Sequence, residues 1–179
     1  MTTTKQITKP TLAGTPGTPG IDPRSPRFGA GITAVLLLVV IALGLVAPQA
    51  DTVLGRFIQP GALLLTAISL LFAWGAFAGV QRHPYGRIFT ALIRLRVAPP
   101  SELEDPIPPT FAQGVGFFIT LIGLVLHLIG VPFALVIAAG FAFIAAFLNS
   151  IFAYCLGCQI YLLLVRAGLL GRGVVRAAS

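Results

Sequence analysis

The sequence predicts an all-α fold: a polytopic transmembrane helix bundle of four spans with both termini cytoplasmic. Three observations predict it. Of the 179 residues, 56% are hydrophobic and only 9% are charged; four long apolar runs carry no charge at all; and the 12 Lys and Arg residues are distributed unevenly around those runs. A soluble domain covers its surface with about 25% charged residues, and a mean hydropathy of +0.95 leaves this chain without such cover. A soluble enzyme, a disordered chain and a disulfide-stapled secreted domain are excluded on the same ground.

Residues 1–27 are rich in Thr, Pro and Gly and are expected to form a disordered cytoplasmic tail, since nothing in them can bury a core. They are too polar for a signal peptide. The first apolar run is Phe28 to Ala47, 20 residues; the second is Ile58 to Val80, 23 residues, with Pro60 near its start; the third is Phe111 to Ile129, 19 residues. A hydrocarbon core of about 30 Å takes about 20 helical residues, so each fits one crossing. Helices are the choice because lipid offers backbone groups no partner. The fourth run, Val131 to Val165, has 35 residues and is too long for one perpendicular span. Either one long helix runs on past the membrane surface, or Asn149-Ser150 forms a tight hairpin between two half-length spans.

Charge decides between these. With four spans, 11 of the 12 basic residues fall on one side: Lys5, Lys9, Arg24 and Arg27, then Arg82, Arg87, Arg94 and Arg96, then Arg166, Arg172 and Arg176. That is the positive-inside pattern of a multi-pass protein of the inner (plasma) membrane. Gly130-Val131-Pro132 then links the last two spans on the outside. The domain plan is a four-helix transmembrane unit over 28–165, interrupted by a cytoplasmic loop over 81–110 and followed by a basic tail over 166–179. The net charge of +7 belongs to this topology, and the basic residues Arg87, Arg94 and Arg96 are expected to meet lipid headgroups rather than nucleic acid.

The two cysteines are adjacent, in Cys155-Leu156-Gly157-Cys158. A CxxC pair suits dithiol–disulfide exchange, in which one thiolate attacks and the other resolves. Counting a span from Pro132 puts the pair at the cytoplasmic boundary, within reach of a soluble thiol partner. No Lys, Arg or His lies within seven residues on either side, and in the C-terminal part of a helix the dipole disfavours a thiolate. A helix that breaks before Cys155 and restarts would reverse that effect. Two small structural core residues are the competing reading. A metal centre would need two further ligands, for which His83 with Glu102, Glu104 and Asp105 are the nearest set. The chain has no second CxxC or CxxH, so no metal and no cofactor is assigned. The same four residues are candidates for polar helpers or a docking surface. The prolines around Glu102, Glu104 and Asp105 would fold that acidic segment back to the inner mouth of the bundle, or hold it as a spacer. Gly75 and Gly79 form a GxxxG that permits close helix approach, within the bundle or in a homo-oligomer. His127, near the outer end of the third span, is expected to face the bundle or the interface. No span holds an Asp, Glu, Lys or Arg, which disfavours an ion-coupled transporter.

Several segments in order carry a resemblance: Ile21-Asp-Pro-Arg-Ser-Pro-Arg-Phe28, His83-Pro-Tyr-Gly86, Pro99-Pro-Ser-Glu-Leu-Glu-Asp-Pro106 with Pro109-Thr-Phe-Ala-Gln113, and Leu148-Asn149 followed by Cys155 to Cys158 and Tyr161. Over about residues 20 to 165 the chain resembles the bacterial membrane-protein family known as domain of unknown function 4395. The resemblance implies no particular reaction. It does imply a thioredoxin-like or sulfurtransferase partner, since members are often encoded beside such proteins. With it, the expected role is a membrane partner in thiol-redox or sulfur handling, with Cys155 and Cys158 as the exchanging pair; the competing role is a non-catalytic membrane subunit or scaffold.

Overall fold

The computed structural model describes residues 20–170 except 49, 99 and 101. Among them are seven α-helices: α1 (Arg24–Val46), α2 (Val53–Phe57), α3 (Pro60–Ala78), α4 (Pro84–Leu92), α5 (Ile107–Leu128), α6 (Ala134–Phe152) and α7 (Leu156–Arg166). Four of these, α1, α3, α5 and α6, are long and apolar enough to cross a membrane. The protein is therefore all-α with four candidate spans, as the apolar runs predict.

Two spans begin earlier than their apolar runs, for one shared reason. Asp22 Oδ1 accepts the Arg24 N–H at 3.0 Å, and Asp105 Oδ1 accepts the Ile107 N–H at 2.9 Å. Each aspartate precedes a proline and satisfies a first-turn donor that the helix cannot. Pro26 in α1 and Pro108 and Pro109 in α5 lie in first turns, where no N–H is needed. A disordered tail is expected over 1–27. Residues 1–19 lie outside the described residues, but Ile21 exchanges backbone hydrogen bonds of 2.9 Å with Glu104 and the helix has begun by Arg24. The loop expected over 81–110 is largely helical, with a 3₁₀ turn at Val80–Arg82, then α4, then a second turn at Arg94–Arg96.

The four spans form a ring. The most extensive pair is α1 with α6, the first and last spans, followed by α3 with α5, α5 with α6, and α1 with α3. Association in lipid relies on close packing rather than on hydrophobic gain, so small residues sit at the seams. Gly123 of α5 lies against Ala138 of α6, Gly31 of α1 against Ser150, and Gly44 against Val136. Leu37, Val40 and Leu65 fill the middle, fully buried. Thr120 of α5 donates to Ser69 of α3 at 3.1 Å in the core, a polar tie between neighbouring spans. Outward-facing side chains such as Leu70, Phe77 and Phe141 are large, apolar and exposed, as a lipid-facing surface requires.

Gly79 ends α3 with φ 83° and meets nothing within 4 Å, whereas Gly75 lies against Gln113 of α5. The expected GxxxG contact is thus one glycine at a helix seam and one at a helix stop. At the far end, Gly130 (φ 94°) closes α5: its N–H and that of Val131 return to His127 and Leu126. Arg56 braces this end, donating to Ala50 O at 2.8 Å and Leu128 O at 2.9 Å. His127 and Arg56 both line a small cavity of about 200 Å³ there, in keeping with the bundle-facing position expected for His127.

The fourth apolar run is neither one long helix nor a hairpin at Asn149-Ser150. Helix α6 passes through both residues and stops at Phe152. Ala153 adopts a left-handed conformation with φ 54°, Tyr154 N–H returns to Leu148 O, and a new helix starts at Leu156. Helix α7 lies along α5 and makes little contact with α6.

Candidate functional site

The starts of α1 and α5 and the ends of α3 and α6 meet at one end of the ring, and the CxxC segment is laid across it. Cys155 and Cys158 are joined as a disulfide, with their Cα atoms 5.2 Å apart. Cys155 is the N-cap of α7 and its Sγ accepts the Cys158 N–H at 3.2 Å. This corrects the expectation that the pair lies in the C-terminal part of a helix. Because the chain breaks at Ala153, the positive end of a helix dipole faces Cys155, and that environment favours a thiolate over a thiol.

Gly157 positions the pair by contact rather than by flexibility. A Cβ built there would lie 2.5 Å from the Ala112 Cβ and 2.6 Å from its Cα, so α7 can rest on α5 only with glycine at this position. One turn further on, the rings of Tyr161 and Phe111 meet with centroids 5.6 Å apart and fix the direction of α7.

Cys155 lines a cavity of about 920 Å³ that runs from this end into the bundle. Its deep wall is apolar, with Ile68 and Phe72 of α3, Ile119 of α5 and Ala142 of α6. Its mouth is polar and charged, with Asp22, Tyr85, Arg87, Arg94, Gln113 and Asn149, and Thr33 adds a buried hydroxyl deeper in. Among the described residues, the carboxamides of Gln113 and Asn149 make no hydrogen bond. Burial pushes the Tyr85 phenol up from its ordinary value, while a hydrogen bond with Thr33 works the other way. The sequence signal for these residues is present but faint: isolated polar side chains inside or beside apolar runs, where polarity is costly. That they line one cavity with Cys155 depends on contacts distant in sequence.

His83 also lines the cavity, but both of its ring nitrogens are engaged. Nδ1 accepts the Tyr85 N–H at 3.3 Å, which places the ring proton on Nε2, where it donates to Leu71 O at 3.1 Å. The residue caps α4 and ties it to α3. Burial pulls its pKa below the ordinary value of 6.5, against the pull of the Leu71 carbonyl. The acidic segment is not a cluster. Asp105 caps α5, Glu104 pairs by its backbone with Ile21 while its side chain is exposed, and Glu102 is exposed. Among the described residues no three His, Cys, Asp or Glu side chains come close enough to hold a metal.

The acid that is drawn into this end is Asp22, within the stretch expected to be a tail. It is buried, and its carboxylate is held by the Arg24 guanidinium at 3.0 Å and 3.1 Å. Burial alone would raise its pKa, but the hydrogen bonds and charge of Arg24, with Arg94 behind, bring it below 3.8. Arg87, Arg94 and Arg96 are exposed, on α4 and the turn after it, beside the exposed Ile88, Leu92 and Leu95. Only Phe89 of α4 is buried, with its ring 5.9 Å from that of Phe28.

No curated protein and no solved structure is significantly similar to this chain. The family described as "Domain of unknown function (DUF4395)" matches residues 21–166. Its match begins at the Ile21 bridge and ends with α7, so it takes in the whole ring and the CxxC helix. The chain therefore belongs to the DUF4395 family.

Proposed function

We propose that this protein is a membrane partner in thiol-redox or sulfur handling, and that Cys155 and Cys158 are its exchanging pair. The observation that carries the reading is the position of Cys155: the N-cap of α7, at the end of the spans and at the mouth of a cavity. When the disulfide is opened, the first-turn N–H groups of α7 stabilise the thiolate left on Cys155, which makes it the better leaving group. A thiolate of a thioredoxin-like or sulfurtransferase partner opens the disulfide by attacking Cys158 Sγ, which forms a mixed disulfide there as the Cys155–Cys158 bond breaks. In this reading the CxxC end and both termini face the cytoplasm of a cell whose inner membrane holds the ring, because 11 of 12 basic residues fall on that side. Arg87, Arg94 and Arg96 contact lipid phosphates, and Glu102 and Glu104, exposed beside the mouth, serve as a docking edge.

The test is alkylation mass spectrometry of both cysteines in membranes equilibrated over a series of thiol–disulfide buffers. The reading expects both thiols to appear together, as one two-electron step, and a Cys155→Ser variant to hold a mixed disulfide at Cys158 with a purified thioredoxin-like protein. A pair that keeps one state across the whole series would overturn it. That result would favour the second reading, a non-catalytic subunit in which the disulfide fastens the start of α7. The tight seat of Gly157 on Ala112 speaks for it.

A further inference from the structure

We propose that the cavity beside the disulfide takes a membrane quinone, and that the Cys155–Cys158 dithiol passes two electrons to it. The inference rests on the thiol-redox reading above and names the electron acceptor for that site. A thiol pair turned over by a soluble partner must hand its electrons on, and this pair faces a cavity that runs into the membrane-spanning part of the ring.

The size and polarity of the cavity select the class of molecule. About 920 Å³ lies at the upper end of the range for small-molecule sites, about 300–1,000 Å³. Along α6 the lining extends from Asn149 to Phe141, eight residues or about 12 Å of helix. The mouth offers the carboxamides of Gln113 and Asn149 and the phenol of Tyr85 as donors for carbonyl oxygens. Ile68, Phe72 and Ile119 below them offer nothing but apolar surface. A ligand with a polar, redox-active ring and a hydrocarbon tail fits this gradient. The cations that line the cavity, Arg87 and Arg94, are exposed side chains of α4 and the turn after it, so they reach a ligand's polar end and leave the wall built by Ile68, Phe72, Ile119 and Ala142 to an apolar tail. The route in is lateral. Phe141 lines the cavity and is 63% exposed on the outside of the ring.

Only Cys155 of the pair lines the cavity, which assigns the order of the step. The Cys155 thiolate adds to a ring carbon of the quinone and forms one C–S bond. The Cys158 thiolate then attacks Cys155 Sγ; the S–S bond forms and the C–S bond breaks, leaving its electron pair on the ring. The two protons of the thiols end on the two ring oxygens. Two thiols become one disulfide and one quinone becomes one quinol.

The experiment uses the full-length protein in lipid nanodiscs, reduced and freed of reductant, then mixed with decyl-ubiquinone and, separately, with a short-chain menaquinone. Quinol is read by ultraviolet absorbance and free thiols by alkylation. The proposal expects one quinol formed for each disulfide closed. It also expects the ratio of quinone reduction to disulfide exchange with dithiothreitol to fall about tenfold or more in Ala145→Phe, which fills the cavity, and in Asn149→Leu, which removes a donor at its mouth. Having two variants guards against one of them failing to fold. Exchange with dithiothreitol but no quinol would overturn this inference and leave the thiol reading intact. Quinol formed at wild-type rates in both variants would also overturn it, since the reaction would then be taking place outside the cavity. So would a tightly held phospholipid that neither quinone displaces. A pair inert to dithiothreitol as well would overturn both readings.

Discussion

Gly157 and Ala112 bring the backbones of α7 and α5 together so closely that one added methyl group would lie 2.6 Å from the Ala112 Cα. Gly157→Ala is therefore expected to lift the start of α7 off α5. Overpacking of this kind costs about 1–3 kcal/mol. The measurement is the thermal midpoint in detergent, together with the alkylation rate of the reduced cysteines. We expect a lower midpoint and faster alkylation. An unchanged midpoint would mean that α7 does not rest on α5 at this glycine.

Asp22 and Asp105 start two spans by the same device, and each should cost about 1 kcal/mol when replaced by Ala. The folded-state pKa of Asp22 is lowered from 3.8, so its contribution is fully present above about pH 4. It is lost as pH falls through the lowered folded value. Acid unfolding followed by circular dichroism should lose part of its steepness in Asp22→Asn. An identical acid limb would rule out the Arg24 pair as a source of stability.

His83 works in the opposite pH range. Its folded pKa lies below 6.5, so the unfolded chain takes up the proton first as pH falls. Stability should decline from about pH 6.5 down to the lowered folded value and then level off. His83→Gln keeps a side chain able to cap α4 and removes the titration. The wild-type midpoint, measured from pH 8 to 5, should drop relative to that variant. Parallel curves would show that His83 titrates alike in both states.

Reporter fusions test the orientation. A fusion after Ser179 and one before Met1 should both read cytoplasmic, and one placed in the turn at Gly130-Val131 should read external. A C-terminal fusion reading external would reverse the assignment of the CxxC end.

The spans were legible because uncharged runs of 19 to 23 residues have few alternatives in a chain this apolar. Their starts were not. Asp22-Pro23 and Asp105-Pro106 look like loop sequence until each aspartate is seen to cap the helix that follows. The break after Phe152 was hidden for the opposite reason: Ala153 and Tyr154 are neither Gly nor Pro, and a left-handed alanine costs about 1–2 kcal/mol that only tertiary contacts can offset. Cys155 and Cys158 could be named from their spacing. Their place at a helix start, and the cavity in front of them, follow from α7 lying on α5, which local pattern does not encode.

The closure of the ring by its first and last spans sets the order of biogenesis. Helix α1 enters the membrane with Gly31 and Gly44 shaped for Ser150 and Val136 of α6, 119 and 92 residues downstream respectively. At about 5–20 residues per second, those partners emerge roughly 5 to 20 s later. During that interval α1 must be sheltered by the insertion machinery or by lipid. The nascent chain acquires the pocket and the cysteine helix only once α6 and α7 have emerged, so a translation product interrupted before them carries neither.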